Sequence, residues 1–197
     1  MMSVFIGRFH PVFVHLPIGI LLFAAFLFFA AKKQKFAAVS TAIAPALAVG
    51  SFFSILSCIT GYLLSISDAY NESIVFKHQW LGIATAVTSI VCYIAYQKKF
   101  KYAGALIVVL TALIIITGHN GGNLTHGEDY LTAPLSNTNS DKKVIANINE
   151  AVVYKDVIEP ILAAKCYSCH GDSKQKGKLR LDLPSYIMQG GEEGKVL

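Results

Sequence analysis

Four stretches of the chain are free of charged side chains: no Asp, Glu, Lys or Arg falls between Phe9 and Ala31, Phe36 and Ser67, His78 and Gln97, or Tyr102 and His126. A helix needs about 20 mainly apolar residues to cross the hydrocarbon core of a bilayer. The runs therefore predict four spans, near Val12 to Ala31, Ala38 to Ile66, His78 to Gln97 and Tyr102 to Gly118. The second is long for one straight span and short for two, which predicts a tilt, or a bend near Pro45 and Gly50. None carries the charged outer face that a soluble amphipathic helix requires. Tyr62, Trp80, Tyr93, Tyr96 and Tyr102 lie near span ends, as interfacial aromatic residues do.

After Glu128 the pattern changes. From Thr132 to Glu150 the chain is rich in Ser, Thr, Asn, Asp and Lys and has no sustained apolar period, which reads as a flexible tether. Near Tyr154 a helical period begins: Val157, Ile158, Ile161, Leu162 and Cys166 recur at spacings that share one face. Pro160 belongs in the first turn of that helix, where a missing N–H is tolerated. The pattern as a whole predicts an all-α chain: a four-helix membrane domain over residues 1–131, a linker over 132–150 and a small helical segment over 151–197.

Charge adds an orientation. Lys32-Lys33-Gln34-Lys35 joins the first two spans and Gln97-Lys98-Lys99-Phe100-Lys101 the last two, with no acid in either. The positive-inside rule makes these loops cytoplasmic, so both termini are expected on the periplasmic side of a bacterial inner membrane. No cleavable signal peptide is evident, and the first span is expected to direct insertion. The net charge of +5 does not point to nucleic acid, because the lysines divide between these loops and the C-terminal region.

Candidate chemistry sits in Cys166-Tyr167-Ser168-Cys169-His170. Two thiols at this spacing suit thioether bonds to the two vinyl groups of one haem, and the adjoining His170 suits the proximal iron position. A thioredoxin-like redox pair would want an alternating strand and helix context. A structural zinc site would want a further ligand pair, and no Cys or His follows His170. A disulfide would leave His170 unexplained. Cys58 and Cys92 share helical faces with small residues (Gly50, Ser54 and Gly61; Gly82, Thr85 and Ser89) and read as packing groups.

Five histidines fall at or near span ends on the expected periplasmic side: His10, His15, His78, His119 and His126. Ionisable groups at membrane depth usually face the bundle interior. Three readings stay open: hydrogen bonds that close the bundle mouth, a haem b or metal ion held by His15, His78 and His119, or a proton relay. In the second, His10 and His126 supply an outer shell or an extra ligand. His10 precedes Pro11, which disfavours helix before it, so His10 is expected in a segment free to fold over the mouth.

Two resemblances rest on these residues. Val157-Ile-Glu-Pro-Ile-Leu162, Lys165-Cys-Tyr-Ser-Cys-His-Gly171, Lys176-Gly-Lys-Leu-Arg-Leu-Asp182 and Gly190-Gly-Glu-Glu-Gly194 resemble the planctomycete-type cytochrome c domain. Gly7-Arg-Phe-His-Pro-Val-Phe-Val-His-Leu-Pro17 and Thr117-Gly-His-Asn-Gly-Gly-Asn-Leu-Thr-His-Gly127 resemble the bacterial family called domain of unknown function 2231. Together they imply a membrane redox protein that passes single electrons through haem c to partner proteins in the membrane or periplasm, more an electron carrier than an enzyme. The alternative is a subunit of a membrane oxidoreductase with a second centre in the bundle. The chain ends soon after the motif, so the haem fold is expected to be incomplete. Met188, the one methionine after His170, is the candidate distal ligand.

Overall fold

The computed structural model describes residues 2–66, 70–126 and 151–195. The expected linker, 132–150, lies outside the described residues. The chain divides into two compact units, one of Met1–Ser67 with Phe76–His119, the other of Asp68–Val75 with Asn120–Leu197.

The first unit is helical. A short helix α1 (Met2–Gly7) leads into α2 (His10–Ala30). A 3-10 helix over Gln34–Ala42 then runs into α3 (Ile43–Ser65), followed by α4 (Glu72–Gln97) and α5 (Ala103–His126). Four helical stretches, Met2–Ala30, Gln34–Ser65, Glu72–Gln97 and Ala103–His126, are long and apolar enough to cross a membrane. The long second stretch is accommodated by a change of winding at Ala42–Ile43. Pro45 consequently falls in the first turn of α3, where its missing N–H deprives no carbonyl of a partner. Gly50 marks a close approach: a Cβ there would stand 2.4 Å from Leu21 Cδ2.

Neighbour pairs give the topology. Gly7 meets Leu64, His10 meets Gly61 and Leu21 meets Gly50, so α2 and α3 run antiparallel. Cys58 lies 4.0 Å from the Cβ position of Gly82, while Tyr96 donates to the Ser40 carbonyl at 2.9 Å. Thr85 and Thr117 share a hydroxyl hydrogen bond of 3.0 Å. The bundle is thus up-down-up-down. The lysine-bearing turns lie at one end, and His10, His78 and Thr117 at the other.

The core contains Leu21, Ala24, Ala25 and Leu27 of α2, Ile43 and Leu47 of α3, Cys92 of α4, and Ile107, Leu110 and Ile114 of α5. Small polar residues are buried beside it: Ser51, Ser54, Ser57, Thr60, Thr85 and Ser89. The large apolar side chains Phe23, Phe26, Phe52, Ile59, Val87, Val108 and Ile115 face outward. This arrangement suits helices solvated by lipid, which associate through small residues because their apolar groups are equally at home outside. Cys92 is fully buried and Cys58 partly, as packing residues should be.

The second unit holds a π-helical turn (Val153–Ile158) that runs into α6 (Glu159–Lys165), then α7 (Tyr167–His170), a 3-10 turn (Lys176–Lys178) and α8 (Pro184–Gln189). Pro160 occupies the first turn of α6, as its sequence position predicts.

Candidate haem-binding site

Local hydrogen bonding brings the three motif side chains onto one turn. Cys166 ends α6, its N–H donating to the Leu162 carbonyl at 2.8 Å. Its own carbonyl then accepts from the N–H groups of Cys169 (3.1 Å) and His170 (2.9 Å). Residues three and four positions apart on a helical turn lie on the same side, so two thiols and one imidazole share a face. Both thiols are free, Cys169 exposed and Cys166 half-buried.

The segment after the motif folds back on it. Gly171 donates to the Lys174 carbonyl at 2.9 Å, and Leu181 donates to the His170 carbonyl at 2.7 Å. A Cβ at residue 171 would lie 2.5 Å from the Tyr167 carbonyl oxygen, so only glycine allows this reversal. The returning strand of chain places the Leu179 carbonyl 3.2 Å from His170 Nδ1. A carbonyl can only accept, so Nδ1 carries the proton and Nε2 keeps its lone pair. This is the tautomer a metal-ligating histidine needs, with the ring oriented by its other nitrogen.

Arg180 locks the reversal. Its guanidinium donates to both carboxylate oxygens of Asp182, at 2.6 and 2.8 Å, and its third nitrogen lies 3.0 Å from Asp172. The same group stacks on the Tyr186 ring, 4.4 Å from its centroid. Gly177 and the turn Gly190–Gly194 meet where Glu192 donates to the Gly177 carbonyl at 2.8 Å. Gly177 and Gly190 adopt the left-handed conformation, with φ of 64° and 83°.

The residues fit a covalently attached haem. Val157, Ile158 and Ile161 form the apolar stripe expected of α6, yet they are 37%, 40% and 56% exposed. Among residues 151–195 the only buried residue is Gly171. A macrocycle on Cys166 and Cys169 would supply apolar surface for this stripe. The Tyr154 and Tyr167 hydroxyls are buried without hydrogen-bond partners. Burial, with the Tyr154, Glu159, Asp182 and Cys166 charges adding to it, pushes the Tyr167 phenol up from its ordinary value.

The other expected site residues are distributed differently. Met188 is 59% exposed on α8. The convergence that a cofactor held by His15, His78 and His119 would require does not occur among the described residues. His15 and His119 are exposed, and His15 bonds the Pro11 carbonyl of its own helix. His126 is exposed at the end of α5, its Nδ1 2.7 Å from the Thr125 hydroxyl.

The ring that meets His78 is His10, at a centroid separation of 6.3 Å. His10 does not sit in a free leading segment. It opens α2, because Pro11 is admissible in a first turn. His15 lies five positions after His10, about 140° around a helix, so turning His10 inward turns His15 away. Among the described residues, no three His, Cys, Asp or Glu side chains group as a metal site.

Sequence reasoning missed the Arg180 clamp and the Leu179 carbonyl. The alternation Leu179-Arg180-Leu181-Asp182 was a signal for the first. A backbone acceptor leaves no trace in residue types.

Residues 166–197 match the family model of planctomycete cytochrome c. No curated protein and no solved structure matches the chain. The C-terminal part of the chain is therefore cytochrome c-like.

Proposed function

We propose that this protein is a membrane-anchored c-type cytochrome that exchanges single electrons with partner proteins through one covalent haem. The observation that carries the reading is the hydrogen bond from His170 Nδ1–H to the Leu179 carbonyl, which leaves Nε2 with its lone pair on the same turn as the two motif thiols. Cys166 and Cys169 would hold the haem through thioether bonds and His170 would ligate its iron. Once bound, the haem supplies one-electron chemistry by cycling between ferric and ferrous iron.

The chain's own residues orient the imidazole and hold the returning loop. Leu179 fixes the tautomer, Gly171 permits the reversal, and Arg180 ties Asp172 to Asp182 so that the reversal persists. The bundle then serves as anchor, with the lysine turns cytoplasmic and the motif periplasmic, the compartment in which haem attachment takes place in bacteria. On this reading the membrane half is related to the domain of unknown function 2231 family, and residues 132–150 are the tether.

Co-expression with a cytochrome c maturation system tests the proposal. The protein should retain haem through denaturing electrophoresis, and Cys166→Ala with Cys169→Ala should abolish the haem stain. A wild-type band without haem under these conditions would overturn the reading. Reporter fusions after Lys35 and Lys99 should register cytoplasm and a fusion after Asn71 periplasm; the reverse pattern would separate the motif from its maturation machinery.

A further inference from the structure

Two histidines at one end of the bundle are unused by the haem c reading. His10 opens α2, and its Nδ1 lies 3.0 Å from the Ser57 carbonyl. The carbonyl accepts, so Nδ1 carries the proton and Nε2 is a bare lone pair. The ring is seated by design of the neighbouring helix: a Cβ on Gly61 would come within 2.8 Å of His10 Cε1. Thr60 flanks it, its hydroxyl 3.4 Å from His10 Nδ1. Across the gap stands His78: the Thr117 backbone hydrogen-bonds its ring, while its buried Nδ1 has no hydrogen-bond partner. A buried imidazole nitrogen with no partner in its own chain is uncommon, because such groups are almost always satisfied.

The separation of the two rings is informative. With metal–nitrogen bonds of about 2.0–2.1 Å and about 1.1 Å from each nitrogen to its ring centroid, two imidazoles on opposite sides of one metal have centroids about 6.3 Å apart, against about 5 Å for a tetrahedral pair. The observed separation is 6.3 Å, with the ring planes 80° apart. We propose that His10 Nε2 and His78 Nδ1 are the two protein ligands of a transition-metal centre inside the bundle. Imidazole donors suit copper, iron, nickel and zinc. A closed four-ligand zinc site is not what this pair offers, since among the described residues no third His, Cys, Asp or Glu joins it. Two imidazole donors suit the iron of a non-covalent haem or a cuprous ion, which share this ligand chemistry.

The test uses the full-length protein, purified in detergent with its haem c. Supplementation with haem and, separately, anaerobic loading with cuprous ion should reveal one centre beyond haem c. A pyridine haemochrome spectrum separates non-covalent from thioether haem, and metal analysis counts copper. X-ray absorption of the loaded wild type should show two imidazole nitrogens, a readout independent of any variant. His10→Ala and His78→Ala should each weaken binding at least tenfold, whereas His15→Ala, an exposed residue of the same helix, should leave it unchanged. Absence of both haem and copper beyond haem c overturns the proposal. So does binding that persists in the His10 and His78 variants, or absorption spectra without two imidazole ligands. These failures are separable from failure of the haem c reading, because only the thioether-bound haem survives denaturation.

Discussion

Replacing Arg180 by methionine keeps the apolar stem of the side chain and removes the whole clamp behind the motif. The clamp has three parts of unequal weight. The bidentate pair with Asp182 joins side chains that are each 20% exposed, so a charged hydrogen-bond contribution of about 2 kcal/mol is appropriate. Asp172 is 61% exposed, and an ion pair of that kind contributes about 0–1 kcal/mol. Stacking on Tyr186 adds about 0.5–1 kcal/mol. Arg180→Met should therefore destabilise the C-terminal unit by about 3 kcal/mol, roughly a hundredfold in its folding equilibrium. Arg180→Lys should recover less than half, since an ammonium cannot make the bidentate fork.

Urea titration of the detergent-solubilised protein measures the effect, followed by near-ultraviolet circular dichroism. Urea is preferable to guanidinium chloride, whose ionic strength would screen the interactions under test. If the Arg180→Met midpoint coincides with wild type within about 0.5 kcal/mol, the clamp is surface decoration and the argument for it fails.

Gly171→Ala should push the new Cβ against the Tyr167 carbonyl, 2.5 Å away; the overpacking should cost about 1–3 kcal/mol and lower the yield of haem attachment, read by haem-stained electrophoresis. In the bundle, Gly7→Ala meets the α3 backbone at Leu64, 2.7 Å away. It should lower stability in dodecyl sulfate titration by about 1–3 kcal/mol, while Gly19→Ala, with nothing within 4 Å, should be near neutral. Tyr167 carries a pH dependence. Its folded phenol titrates above the unfolded value, so the neutral form is favoured by folding; stability is complete below about pH 10 and falls as pH rises toward the folded pKa. Tyr167→Phe should remove that alkaline component without loss at neutral pH, because it also deletes a buried hydroxyl that has no partner. An unchanged alkaline profile in urea titrations of the phenylalanine variant would contradict the assignment.

Much of this protein is determined by residue types in order. Charge-free runs long enough to span a bilayer specify the four long helices, because a backbone in apolar surroundings must satisfy its hydrogen bonds within the segment. The pentapeptide Cys166 to His170 likewise specifies its chemistry locally, since both thiols and the imidazole fall on a single turn. What needed the tertiary structure was every relation between distant residues. The proton on His170 Nδ1 is decided by the Leu179 carbonyl, and any residue type at position 179 would present the same acceptor. The pairing of His10 with His78, in place of His15 with His78 and His119, depends on where α2 begins and on the rotation this imposes. Rotation about a helix axis is settled by packing, here by Gly61 against the imidazole and Gly50 against Leu21. Spans that are apolar all round carry little amphipathic signal to predict it.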